Sequence, residues 1–152
     1  MIYMKRLSEL IEKVCEEEGV ELDEIFDMPQ EDNTDLIRQF EENFEVKLPE
    51  DYKYFLTQYG SGGLGYFDFF GIESGKVDIS DSTLAIITNE CREKGMPKQL
   101  VVIEHLGDYV TCIDTLKSEG EVVNWSWLDD GKIVKIADNF ETYFSGKLED
   151  CL

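Results

Sequence analysis

The sequence predicts an α+β fold: N-terminal helices, a mainly antiparallel sheet with an intervening helix, and a closing C-terminal helix. Three observations predict it. Apolar residues recur at helical spacing up to Gly60. From Leu100 onward, β-branched and aromatic runs alternate with short turn signals. The last periodic segment opens beside a helix-capping pattern.

Each element can be justified in order. Leu7, Leu10, Ile11 and Val14 stand at i, i+3, i+4 and i+7, one face of a helix that Gly19 should end. The stretch "VELDEIFDMPQEDN" has no clear period and reads as an acidic connector. In "NTDLIRQFEENF", Asn33 or Thr34 is the expected N-cap, and Leu36, Ile37, Phe40 and Phe44 form the buried stripe. In "LPEDYKYFLTQYG", Pro49 suits the first helical turn, where a missing N–H costs nothing. Tyr52, Phe55, Leu56 and Tyr59 repeat the same spacing, and Gly60 follows where a left-handed residue should close the helix.

The aromatic "YFDFFGIE" then reads as a short strand. "STLAIITNECREKG" carries Leu84, Ile87 and Cys91 on one helical face and ends at Gly95. "LVVIEHL", "YVTCIDT", "EVVNWSWL" and "KIVKIAD" are strands, separated by "GD", "SEG" and "DDG" turns. Asp138 with Glu141 resembles a capping box for a helix bearing Phe140, Tyr143, Phe144 and Leu148. With no internal repeat, low-complexity tract or linker, the 152 residues read as a single domain.

Charge narrows the function classes. Fourteen basic against 34 acidic residues give a net charge of −20, and 17 of the acids lie between Glu9 and Asp51. Such a field repels nucleic acid and anionic membranes and attracts basic partners. No apolar run approaches the roughly 20 residues needed to span a bilayer. "MIYMKRLSELIEK" lacks the apolar core of a secretory signal, so a soluble cytoplasmic protein is expected. Cys15, Cys91, Cys112 and Cys151 are scattered without C-x-x-C spacing. With His105 the sole histidine, no zinc site is expected.

"QYGSGGLGYF" contains a literal G-x-G-x-x-G at Gly60, Gly62 and Gly65. A dinucleotide-binding turn needs a strand before the glycines and a helix starting on them, so that phosphate meets the helix N-terminus. Here a helix ends at the glycines and presents carbonyls, the negative end of its dipole. No Lys-Ser or Lys-Thr follows, so a P-loop is excluded as well. The glycines therefore read as structural: Gly60 caps, while Gly62, Gly63 and Gly65 let the chain turn into a strand.

Other constellations read as ordinary structure. Glu104, His105 and Asp108 could suggest acid–base chemistry, but His105 sits at the end of an apolar run before a Gly-Asp turn. Asp129-Asp130-Gly131 could touch a cation and equally spells a hairpin turn. Trp125 and Trp127 would share one face of a regular strand, as core packing or as a binding hot spot.

"LPEDYKYFLTQYGSGGLGYFDFFGIE" resembles the signature of the SUKH superfamily, which includes the yeast Smi/Knr-type domain and many bacterial immunity proteins. "TLAIITNECREKGMPKQLVVIE", "YVTCIDTLKSEGEVVNWSWLDD" and "ADNFETYF" resemble its later segments in the same order. The resemblance covers residues 33–152, and residues 1–32 read as a variable N-terminal helix with its acidic connector. It implies a non-enzymatic fold that binds and neutralises a toxin domain, often a nuclease, and it offers no catalytic residues, cofactor or metal. Leu48, Pro49, Tyr52, Phe55, Gly60, Gly62, Gly63, Asp114 and Trp125 are the structural positions of the pattern.

The expected partner is a basic cognate toxin domain, with no nucleic acid and no membrane, and a monomer is expected. Exposed acids Glu73, Asp78, Asp81, Glu104, Asp108, Asp129 and Asp130, together with Trp127, are the candidates for partner contact. Two other readings stand beside this one: a regulatory or scaffold protein for another basic partner, and a hydrolase using the carboxylates.

Overall fold

In a computed structural model the chain is described over residues 4–65, 67–128 and 130–152. Helices α1 (Lys5–Glu18), α2 (Leu22–Ile25), α3 (Thr34–Phe44) and α4 (Glu50–Gln58) lead into a hairpin of β1 (Gly62–Leu64) and β2 (Phe67–Phe69). Helix α5 (Thr83–Glu93) follows, then β3 (Leu100–Leu106), β4 (Tyr109–Asp114), β5 (Glu121–Trp125), β6 (Ile133–Ala137) and α6 (Phe140–Asp150). The fold is α+β, as expected. Among the described residues no helix is long and apolar enough to cross a membrane.

Strands β3 to β6 form an antiparallel meander in sequence order. The β1–β2 hairpin meets its edge through a backbone bond from Phe70 N–H to Ile103 C=O (2.8 Å). Alternation along the strands builds two cores. Val101, Ile103, Ile113 and Val122 face the aromatic cluster of Phe40, Tyr52, Phe55, Phe140 and Phe144 under the helices. Leu100, Val102, Val110, Cys112, Val123 and Trp125 pack on the other side with Cys91 of α5 and Met96. Strands β3 to β5 are thus covered on both faces, whereas the edge strand β6 leaves Ile133, Val134 and Ile136 exposed.

Three local expectations are corrected. The connector contains α2, which is held by a reciprocal capping box between Glu21 and Glu24 and delivers Ile25 and Phe26 to the core. Helix α6 is capped by Asn139, whose Oδ1 accepts the Thr142 N–H (2.8 Å). Asp138 instead pairs with Lys135 (2.7 Å), and the buried Asp51 accepts the Glu141 N–H (2.9 Å). Asn33 does sit at the N-cap of α3, but its side chain turns to Leu56 C=O (2.9 Å) rather than capping.

The glycines mark a backbone junction. Gly60 follows α4 with φ +73°, and its N–H bonds Phe55 C=O (3.1 Å). Its carbonyl accepts the Ile72 N–H (3.0 Å), and Ser61 C=O accepts the Asp27 N–H (2.9 Å). A Cβ on Gly60 would lie 2.2 Å from Asp27 O, and one on Gly62 would lie 2.3 Å from Ile25 O. Three chain segments meet here backbone to backbone, which side chains would forbid. Gly62 and Gly63 go beyond a turn and pair within β1, with Phe69 and Asp68.

Candidate functional site

Because both faces of β3 to β5 are covered, side chains free to meet a partner lie at the strand ends, in the loops and along the exposed edge strand β6. The β3–β4 tip and the β5–β6 turn come together at one end of the sheet. Ser126 Oγ donates to Asp108 C=O (2.8 Å), and the Leu128 N–H donates back to Ser126 Oγ (3.1 Å). The first bond ties one turn to the other, and the second braces the β5–β6 turn around Ser126.

The tied tips carry apolar side chains where polar ones are usual. Tyr109 is 40% exposed, Trp127 36% and Leu128 67%. Strand β5 stops at Trp125, so the two tryptophans do not share a strand face. Trp125 is buried in the second core, and the Trp127 ring packs beside it with centroids 6.2 Å apart. Lys94, just past α5, lies over the Trp127 ring at 4.2 Å. Trp127 is therefore held in place while still presenting a third of its surface. Exposed Asp108 and Asp130 stand beside these side chains in the two turns, Asp130 in a left-handed conformation (φ +52°) ahead of Gly131. Asp129 lies outside the described residues.

The remaining candidates go elsewhere. Asp78 is exposed and caps the turn Ile79–Asp81, where the Ser80 N–H (3.0 Å) and hydroxyl (2.8 Å) hold its carboxyl below the usual carboxylate range. Asp81 is exposed in the same turn. Glu73, half-buried, accepts the N–H and hydroxyl of Thr83 at 2.9 and 2.6 Å and so anchors the start of α5. These three form a second acidic stretch in the loop between β2 and α5.

Glu104 is corrected: it is 2% exposed and cannot meet a partner. Its carboxylate accepts the Tyr143 hydroxyl (2.7 Å) and the Asp68 N–H (3.0 Å), tying β3 to α6 and β2. Burial and this carboxylate push the Tyr143 phenol well up. His105 is exposed on the neighbouring position of β3.

Among the positions expected to be structural, Tyr52 donates its hydroxyl to Phe70 C=O (2.7 Å). Asp114 is buried and accepts the Leu116 N–H (3.1 Å). Leu48 and Phe55 lie in the larger core. Pro49 stands immediately before α4.

Tyr109, Leu128 and Lys94 were not singled out from sequence. The available signal was local: "GDY" places a large apolar residue at the edge of a turn and "WLDD" places two where polar ones are usual.

Among the described residues, no group of three His, Cys, Asp or Glu side chains converges as metal ligands do. The arrangement offers acceptor carboxylates and apolar contact, which is chemistry for recognition.

The comparisons agree with this architecture. A family model described as SMI1-KNR4 cell-wall, SUKH_5, matches residues 7–149. The match begins inside α1, so the N-terminal helix and connector fall within the family's span. A crystal structure of a protein from Pseudomonas syringae pv. tomato is similar over 91% of this chain and 92% of its own, at 20% identity and a TM-score of 0.59. At that identity the likeness shows a shared fold.

Proposed function

Since the chain belongs to the SUKH family, whose domains are commonly immunity proteins and generally non-catalytic, we propose that it binds and neutralises a basic toxin domain in the cytoplasm. The observation that carries this reading is the sheet-end surface. Trp127, Leu128 and Tyr109 are exposed on tied turns beside Asp108 and Asp130, in a chain of net charge −20. Aromatic anchors in a polar surround are the usual seats of binding energy at interfaces.

The two features have separate tasks. The overall field steers a cationic partner, raising association rates about 10- to 1,000-fold with a steep fall in salt. The apolar contacts, once water is excluded, govern dissociation. A nuclease toxin suits this division, because a surface that holds phosphates is basic and an acidic protein competes for it.

The test is growth rescue by co-expression with the toxin domain encoded beside this chain, with association kinetics at two salt concentrations. Reversing Asp108 and Asp130 to lysine should slow association more than reversing Glu16, Glu17 and Glu18. No rescue by the intact protein refutes the immunity reading and favours a regulatory role.

A further inference from the structure

The four-stranded sheet has two edges, and only one is met by other backbone. At β3 the β1–β2 hairpin is joined by the bond from Phe70 N–H to Ile103 C=O. Strand β6, at the other edge, pairs with β5 alone. Its residues make no other backbone hydrogen bond among the described residues. A strand in that position presents a row of unpaired N–H and C=O groups, which soluble chains commonly blunt with charged side chains.

Strand β6 is instead largely apolar. Ile133, Val134 and Ile136 are 39%, 45% and 40% exposed. Ile133 stands opposite Trp125 and Val134 opposite Asn124, so these two side chains point to different faces of the sheet. A strand apolar on both faces has the pattern of one that is buried on both. Lys132, Lys135 and the bulge at Ile136 keep such an edge from pairing indiscriminately, and they leave Ile133–Lys135 in regular register. Helix α6 does not fill the space beside the strand. An open trough of about 660 Å³ lies between the end of β6 and the helix face of Tyr143, Gly146, Lys147 and Asp150. Beside Gly146 even an added Cβ would touch nothing within 4 Å.

Unpaired backbone calls for an extended chain, and charge selects which one. Close to the edge the charges are matched: Lys135 pairs with Glu121 (3.3 Å) and Asp138 (2.7 Å), and Glu149 with Arg6. The choice of sign therefore falls to the whole chain, at −20. A second copy carries the same charge and is repelled, whereas a basic segment is drawn in.

We propose that β6 is a strand-addition site, where an extended basic segment of the protein partner pairs with Ile133–Lys135 as a fifth strand and lays apolar side chains on Ile133, Val134 and Ile136. This rests on the partner-binding reading above and specifies the form of the contact. It continues the sheet-end surface, because Leu128 and Asp130 stand in the turn that enters β6.

The test titrates the full chain with an acetylated, amidated heptapeptide of alternating lysine and valine, read by amide NMR shifts and hydrogen exchange. One comparison peptide is methylated at every backbone nitrogen, which keeps the side chains and removes the donors. Another carries glutamate for lysine. The expected result is saturable shifts confined to residues 132–136 and the α6 face across the trough, with slowed exchange at the β6 amides that point away from β5. Affinity should fall about tenfold or more with the methylated peptide and severalfold with the glutamate peptide. Val134→Lys, at an exposed position, should weaken the lysine–valine peptide about fivefold or more while leaving the rest of the spectrum in place. Absent or scattered shifts, or equal binding of either comparison peptide, would overturn the proposal. Exchange at β6 that slows with protein concentration alone would place a second copy there and overturn it too. The titration needs no toxin, so its failure leaves the immunity reading standing. Conversely, absent growth rescue with normal peptide binding refutes immunity alone.

Discussion

Gly60→Ala isolates what the glycine-rich segment is for, because Gly19 provides a matched control. Both residues close a helix in the left-handed region, Gly60 at φ +73° and Gly19 at φ +67°. Adding a Cβ costs each roughly 1–2 kcal/mol in backbone strain. They differ in surroundings: nothing lies within 4 Å of a Cβ on Gly19, whereas one on Gly60 meets Asp27 O at 2.2 Å and Ile72 O at 3.0 Å. Those oxygens belong to backbone that is itself hydrogen-bonded at the junction, so relief requires moving whole segments. Overpacking of that kind costs about 1–3 kcal/mol more. The expected losses are therefore about 1–2 kcal/mol for Gly19→Ala and about 2–5 kcal/mol for Gly60→Ala. Urea unfolding reads the difference directly, since a slope of about 1–3 kcal/mol per molar turns it into a midpoint shift of roughly 1 M. Equal destabilisation of the two variants would refute the backbone-junction argument and leave only a cap.

Glu104→Ala should destabilise by about 2–5 kcal/mol, because it strands the Tyr143 hydroxyl and the Asp68 N–H, each worth roughly 1–3 kcal/mol when left unpaired; a urea midpoint within error of wild type would show that the buried network is dispensable. Burial raises the Asp51 carboxyl above its usual value despite the hydrogen bonds from the Glu141 and Tyr52 N–H groups. The folded protein thus takes up that proton before the unfolded chain does. The Asp51 contribution to stability is fully present below the unfolded pKa and falls as pH rises through the folded one. Wild type minus Asp51→Asn stability should accordingly increase on going from pH 7 to pH 4, and a flat or opposite trend in paired urea titrations would contradict the shift. Trp127→Ala should cost the fold about 1–3 kcal/mol, through the lost packing on Trp125 and the lost Lys94 contact. It should weaken the proposed toxin complex about 30-fold or more, the threshold of an interface hot spot; unchanged dissociation kinetics would remove Trp127 from the proposed interface.

The sheet was legible because its signals are local and agree with one another. "LVVIEHL" coincides with β3, and Gly19 and Gly60 stop their helices in the left-handed conformation their positions called for. Helix α2 was illegible: four residues give no period, and it exists because Glu21 and Glu24 cap each other while Ile25 and Phe26 are buried. Glu104 was misread for a tertiary reason. The register slips between Val102 and Glu104, so the bulge at Ile103 turns Glu104 toward α6. Without the bulge it would follow Leu100 and Val102 to the α5 side. Nothing in the run of letters announces that slip. The turn of the Asn33 side chain was equally invisible, since the sequence suggests a helix cap and only the packing of α4 draws the amide to Leu56.

The way the acids divide between structure and surface argues for recognition over catalysis. A carboxylate put to chemical use must be buried near an exposed reacting space, with its charge or proton held ready. The three carboxylates buried among the described residues, Glu104, Asp51 and Asp114, accept from neighbouring N–H and hydroxyl groups within the fold. Asp108 and Asp130 lie in the open, where water screens each of them and no single one carries much energy. Exposed acids of this kind act collectively, as a field, and a field needs fixed apolar anchors before it yields a long-lived complex. Trp127, held between Lys94 and Trp125 at the tied sheet end, is such an anchor. A chain that holds its buried carboxylates in hydrogen bonds and exposes Trp127 among acids suits the proposed binding of a basic protein.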